Sequence, residues 1–164
     1  MEYNILLNAH IDDISSLCET HRIFNDICHD KRFWFDRFEH DQLPMIEMKN
    51  NVTNWIEEYE TIRIYNQIIE HGRHSLSSFW VYFTSDQYEL MLKILPATLL
   101  PMIYPFNPIH DYEITVINHR VKLEIYGKKL IRRKTIEMDQ KSIRLLLIKL
   151  FYYHISFHYK NGQT

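Results

Sequence analysis

"SLCETHRIFNDICHDKRFWFDRFEHDQLP", residues Ser16 to Pro44, holds two cysteines, three histidines, the run Phe33-Trp34-Phe35 and a closing Leu43-Pro44. Metal ligation, a Cys/His dyad and apolar anchors between short helices compete for these residues. Zinc needs four ligands in a tetrahedral array, and Cys18, His21, Cys28 and His29 are the only candidates near one another in sequence. On a helix the neighbours Cys28 and His29 would point about 100° apart, so they rarely reach one ion together. A nucleophilic cysteine would want a glycine-rich turn or an oxyanion-hole signature beside it, but the glycines stand at 72, 127 and 162. The same scarcity excludes a phosphate-cradling loop. Glu57, Glu58 and Glu60 have no partner motif and read as a solvated helix face. The stretch is therefore read as anchors, and no metal, cofactor or enzyme activity is expected.

As anchors, these residues set out several short helices. Ile5, Leu6 and Ala9 line the first; Asp12 or Asp13 caps the second, with Ile14, Leu17, Cys18 and His21 behind it at helical spacing. Phe24, Ile27 and Cys28 belong to a third. Asp30 caps a fourth, amphipathic through Phe33, Trp34, Arg37, Phe38 and Asp41, which Leu43-Pro44 ends.

From Asn51 or Thr53 a longer helix carries Val52, Trp55, Ile56, Tyr59, Ile62, Asn66 and Ile69 on one face, with Gly72 as its stop. Phe79–Thr84 reads as a strand, and Ser85 or Asp86 caps a helix that Pro96 ends. A connection broken by Pro96, Pro101, Pro105 and Pro108 follows. Tyr112–Ile117, Arg120–Tyr126 and Lys128–Glu137 then alternate as three strands, joined tightly at Asn118-His119 and at Gly127, which predicts an antiparallel meander. Asp139 caps a last helix with the stripe Ile143, Leu146, Leu147, Leu150 and Phe151. Tyr152, Tyr153, Phe157 and Tyr159 suggest that part of the tail packs as well. The expected fold class is α+β: residues 1–44 form a helical module, and residues 50–164 form a long helix, a small sheet of about three to four strands and a C-terminal helix, packed against it.

At 164 residues, 46% of them hydrophobic, the chain has enough apolar surface for a folded core. No apolar run is long enough for a membrane span, and no secretory leader pattern opens the sequence, so a reducing, intracellular setting is expected, with Cys18 and Cys28 reduced and buried. Twenty-two Ile against 2 Ala and 3 Gly is the skew of an AT-rich coding genome. The net charge of -2 conceals an asymmetry: residues 1–114 hold 8 Lys/Arg and 18 Asp/Glu, residues 115–164 hold 11 and 3. Such halves suit an internal charge match, head-to-tail association of copies, or a basic face for an acidic partner. The densest basic patch is Lys128, Lys129, Arg132, Arg133 and Lys134. On a strand Lys128, Arg132 and Lys134 would share one face, and Lys129 and Arg133 the other. Without interleaved aromatic platforms, nucleic-acid binding ranks third among the functional readings.

"NILLNAHIDDISSLCETHRIFNDICHDKRFWFDRFEHDQLP", Asn4 to Pro44, resembles the divergent F-box-like modules of large nucleocytoplasmic DNA viruses of the pithovirus, orpheovirus and marseillevirus kind. The matching features are the initial "ILL", the acidic "IDDI", "LC", "FNDIC", the pair Phe33-Trp34 and the trailing "F..D.LP". Together they cover about a quarter of the chain. The Leu-Pro pair that opens the eukaryotic module does not precede Ile5; Met1-Glu2-Tyr3-Asn4 stands there. The resemblance implies a helical bundle with Leu17, Phe24, Phe33 and Trp34 in its core. In eukaryotic F-box proteins that bundle docks on the adaptor subunit of a cullin-RING ubiquitin ligase, and the remainder of the chain selects a target. By position, Ile5, Leu6, Leu17, Cys18 and Trp34 would lie nearest the docking surface. The implied protein is a viral, non-enzymatic interaction protein of the host cytoplasm or viral factory, partnered by a host ligase adaptor subunit. The alternative is a virion structural or assembly protein that uses the module for packing, with virion proteins or further copies of itself as partners.

Overall fold

The computed structural model describes residues 1–72, 78–106 and 108–155, together with the backbone pairing of residues 158–159; the expected packing of Phe157 lies outside them. The chain is α+β, as expected, and divides into two compact units, Met1–Gln67 and Ile68–Thr164.

The first unit opens with four short helices, α1 (Glu2–Asn8), α2 (Ile11–Thr20), α3 (Arg22–His29) and α4 (Lys31–His40). The long helix α5 (Val52–His71) follows, its residues up to Gln67 belonging to this unit and its last turn to the second. Asp30 caps α4 by accepting from the Arg32 amide at 2.9 Å, and Asn51 accepts from the Asn54 amide at 2.8 Å at the start of α5. Asp12 and Asp13 do not cap α2. The helix starts a residue earlier, behind His10, so both carboxylates sit within its first turn, where they favour the positive end of the helix dipole. Leu6, Ile11, Ile14, Phe33, Trp34 and Phe38 are buried, while Leu17 and Phe24 are half-buried. Trp34 stacks on Trp55 of α5 with ring centroids 5.9 Å apart and planes 7° apart, and Phe38 meets Tyr59 edge-on at 5.5 Å.

Helices of seven to ten residues are marginal alone, and Arg37 supplies one clamp. Only 6% exposed, it donates to the carbonyl oxygens of Leu6, at 3.4 Å, and of Leu7, both at the C-terminal end of α1. It also reaches the Tyr59 hydroxyl at 3.4 Å. Its Nε lies 3.0 Å from the Asp41 carboxylate, off the line of a hydrogen bond, so that contact is an ion pair. The Tyr59 hydroxyl donates to the same carboxylate.

A second clamp corrects an expectation: Cys18 and Cys28 are not free thiols but a disulfide, with their Cα atoms 6.1 Å apart. A single residue, His21, turns α2 into α3, and this brings the two buried positions to bonding range. The pairing overturns the expectation that both cysteines are reduced, while their burial is as expected.

The second unit holds an antiparallel five-stranded sheet in the order β4-β3-β2-β1-β5, built from β1 (Ser78–Phe83), β2 (Asp111–Ile117), β3 (Arg120–Tyr126), β4 (Leu130–Glu137) and the two-residue β5 (His158–Tyr159). Alternation sets its faces: Phe79, Val81 and Phe83 on β1, Tyr112, Ile114 and Val116 on β2, and Val121, Leu123 and Ile125 on β3 are all buried. Helices α6 (Tyr88–Ile94), α7 (Leu100–Ile103) and α8 (Gln140–Tyr152) add Met91, Met102, Leu146 and Leu150 to that core. A 3-10 turn at Ser85–Gln87, capped by Thr84 rather than by Ser85 or Asp86, leads into α6. Asp139 caps α8 by accepting from the Ser142 amide at 2.8 Å.

With glycine scarce, other residues make the left-handed turns. Asn118 (φ 56°) opens the β2–β3 turn, and Gln42 (φ 55°) and His154 (φ 55°) follow the ends of α4 and α8. At both helix ends the amide two residues past the cap returns to the last turn, Leu43 to Phe38 and Ile155 to Leu150, each at 2.8 Å.

Reducing the Cys18–Cys28 bond is expected to lower the unfolding free energy by about 2–3 kcal/mol, since the cross-link restricts the unfolded chain. Urea titrations with and without a phosphine reductant, alongside a thiol count on unreduced protein that should read zero, check this. His154→Gly is expected to stabilise by about 0.5–1 kcal/mol, because glycine bears the positive φ without a Cβ clash. A lower unfolding midpoint for that variant would refute the assignment.

Candidate interaction surfaces

The five residues nearest the expected docking surface divide by burial. Leu6 and Trp34 are fully buried, and the Trp34 indole donates to the Cys28 carbonyl oxygen at 2.9 Å. Cys18 is buried and spent in the disulfide, so neither cysteine offers a thiolate to a metal or a substrate. Leu17 is half-buried and Ile5 is 48% exposed. Only these last two can present much side-chain surface to a partner. Ile23 and Phe35, which sequence reasoning passed over, are exposed on α3 and α4. Their signal was there: each falls off the buried stripe of its helix. Of the glutamates read as a solvated face, Glu57 is exposed but Glu58 is buried. Glu58 pairs with Lys49 at 3.2 Å and accepts from the Glu47 amide at 3.2 Å, because the segment before α5 folds back over that helix.

In the second unit all five residues of the basic patch are exposed. Lys128 and Lys129 differ from expectation because β4 begins at Leu130, leaving both in the turn where the Gly127 amide donates to the Lys129 carbonyl oxygen at 3.0 Å. A register shift then passes over Ile131, since Tyr126 pairs with Leu130 while Ile125 pairs with Arg132. Beyond this bulge Arg132 and Lys134 fall on the face of Ile125 and Leu123, and Arg133 falls opposite Glu124.

Glu124 organises the other face of the sheet. It is buried, and it accepts from Arg133 Nε at 2.6 Å and pairs with Lys122 Nζ at 2.7 Å. Burial pushes its carboxyl pKa up, and the hydrogen bonds and charges of Lys122 and Arg133 outweigh that, leaving it below the ordinary carboxylate range. Tyr82 donates to Asp111 at 2.6 Å, a bond that, with some burial, pushes the phenol up to about 12. Arg132 lies over the Phe106 ring, 5.9 Å from its centroid. Among the described residues no group of three or more His, Cys, Asp or Glu side chains is placed to hold a metal, and no helix is long and apolar enough to cross a membrane.

No family model, curated protein or solved structure matches the chain.

A carboxylate with a depressed folded-state pKa contributes stability that is fully present above its unfolded value, about 4.3, and is lost as pH falls through the folded value. Glu124→Gln is therefore expected to be less stable than the parent at neutral pH, with the gap closing below about pH 4. Denaturation midpoints across an acid series check this; a gap that persists unchanged to the lowest pH would mean the side chain acts through packing alone.

Proposed function

We propose that the chain is a non-enzymatic protein–protein adaptor of a large DNA virus, in which an F-box-like helical unit meets the adaptor subunit of a host cullin-RING ubiquitin ligase and the second unit selects the target. The observation that carries this reading is the packing of four short helices around Phe33 and Trp34, with Ile5 left at the surface of α1. The reading is supported by the burial of Phe33 and Trp34, two of the four core residues the resemblance implies, and by a hydrophobic side chain of the first helix free to dock. An exposed isoleucine on a rigid short helix is a fitting anchor for a partner groove. The host cytoplasm or viral factory is where such a protein would act, a setting in which the Cys18–Cys28 bond must resist reduction.

A second reading rests on charge. The first unit holds 6 Lys/Arg against 13 Asp/Glu and the second 13 against 8, so copies could join acidic to basic unit as virion building blocks.

Affinity purification of the tagged chain from infected host cells, with partners quantified by mass spectrometry, separates the two. The adaptor reading expects the ligase adaptor subunit and a cullin near stoichiometry, both lost with Ile5→Asp while the circular dichroism spectrum is unchanged. Trp34→Ala is unsuitable here, because it hollows the core and is expected to cost about 3–5 kcal/mol of stability. Recovery of the chain with itself and virion proteins alone would overturn the adaptor reading.

A further inference from the structure

β4 lies at one end of the sheet, and its outer edge has no strand partner among the described residues. From Arg132 to Glu137 it pairs in regular register with β3, so its backbone is straight enough to take another strand on the free side. Proteins protect such edges with charges, bulges, proline or a covering element. β4 has a bulge at its start and no proline. Its charges are of one sign until the final Glu137.

The cover over the apolar face stops short of this strand. Ile125 and Leu123 are fully buried, whereas their β4 partners Arg132 and Lys134 are exposed on the same face. Of the strand's three cations, Arg133 is matched by Glu124, while Arg132 and Lys134 have no carboxylate within ion-pair distance among the described residues. A row of open backbone donors and acceptors thus runs beside two cations at alternate positions that no carboxylate among the described residues pairs, Arg132 resting over the Phe106 ring.

We propose that the outer edge of β4 is a docking strand for an extended, acidic segment of a partner protein, which joins the sheet with carboxylates at alternate positions beside Arg132 and Lys134. The charge argues against the other occupants. A second copy of β4 would set cations against cations. Nucleic acid finds no aromatic side chain on this strand to stack upon, and meets instead the exposed Leu130 and Ile131 and the carboxylate of Glu137. The inference takes from the proposed function only that the second unit meets a partner. Its test involves no ligase, so failure here leaves docking through Ile5 standing, and failure there leaves this edge untouched.

The test is fluorescence anisotropy of the full chain with a labelled peptide of alternating glutamate and valine, matched in length to β4. Two further versions are N-methylated on one or the other set of alternate amides. Strand addition expects the parent peptide to bind, and only one methylated version to fail, because alternate amides face the docking edge. Arg132→Glu combined with Lys134→Glu, two exposed sites, is expected to weaken the parent peptide roughly tenfold. Three results would each overturn the proposal: no binding of the parent peptide, equal binding of both methylated versions, or binding of single-stranded DNA in place of the peptide. The methylation comparison uses the unaltered protein, so it decides the matter even if the double variant folds poorly.

Discussion

The buried guanidinium of Arg37 is the contact on which the helical unit turns. α1 is seven residues long and has no side-chain cap at its start, so its helical state depends on what it packs against. Leu6 supplies the apolar part, and Arg37 the polar part by donating to the carbonyl oxygens of Leu6, which also takes the Ala9 amide, and Leu7. Burying a cation is costly unless its donors are met and its charge matched. Here Asp41 supplies the charge and Tyr59 bridges cation and carboxylate. The titration of the carboxylate reflects this: burial works against the charged form of Asp41, and the hydrogen bonds from Tyr59 and His40 with the charge of Arg37 overcome it, so its pKa falls below the ordinary value. Since Ile5 could act as an anchor only while α1 is formed, the proposed docking surface would depend on this network.

The second unit depends on a different constraint, the period of two along its strands. Each of β1, β2 and β3 commits every second side chain to the core, and a slip of one residue would bury Glu113 and Lys122 in place of Ile114 and Leu123. β4 is released from that constraint. Apart from the half-buried Ile136 opposite Val121, its side chains are exposed, so the strand can carry cations at consecutive positions at little desolvation cost, and it is held by the β3 ladder and by Arg133 on Glu124.

What was legible in the sequence follows from how local each signal is. Asp30, Asn51 and Asp139 announce helix starts because a cap bonds within three residues of itself. The alternation from Tyr112 to Tyr126 is likewise a local record of one buried face. Two local readings slipped by a residue or two, the caps of α2 and of the turn before α6; the larger misses are non-local. The disulfide depends on how α2 turns into α3, the burial of Glu58 on a loop that folds over α5, and the place of Lys128 and Lys129 on where pairing with β3 begins. A two-residue strand such as β5 is too short to leave any periodicity. Trp34 was legible as an important residue, but the sequence does not distinguish a tryptophan offered to a partner from one stacked on Trp55.

These constraints bear on how an acidic first unit and a basic second unit within one chain avoid indiscriminate association. Exposed charges interact over about 8 Å at physiological salt, and single surface pairs contribute little. Charge alone would therefore give weak, unselective attraction to any polyanion, including the acidic unit of another copy. A strand edge adds a directional requirement: the occupant must be extended, in register and free to hydrogen-bond, which the helices α1–α4 of the acidic unit are not, because their backbone donors and acceptors are used internally. On the proposed reading the edge would reject the helical acidic segments of α1–α4 while its cations attract an extended acidic one, attraction coming from Arg132 and Lys134 and selection from the backbone of β4.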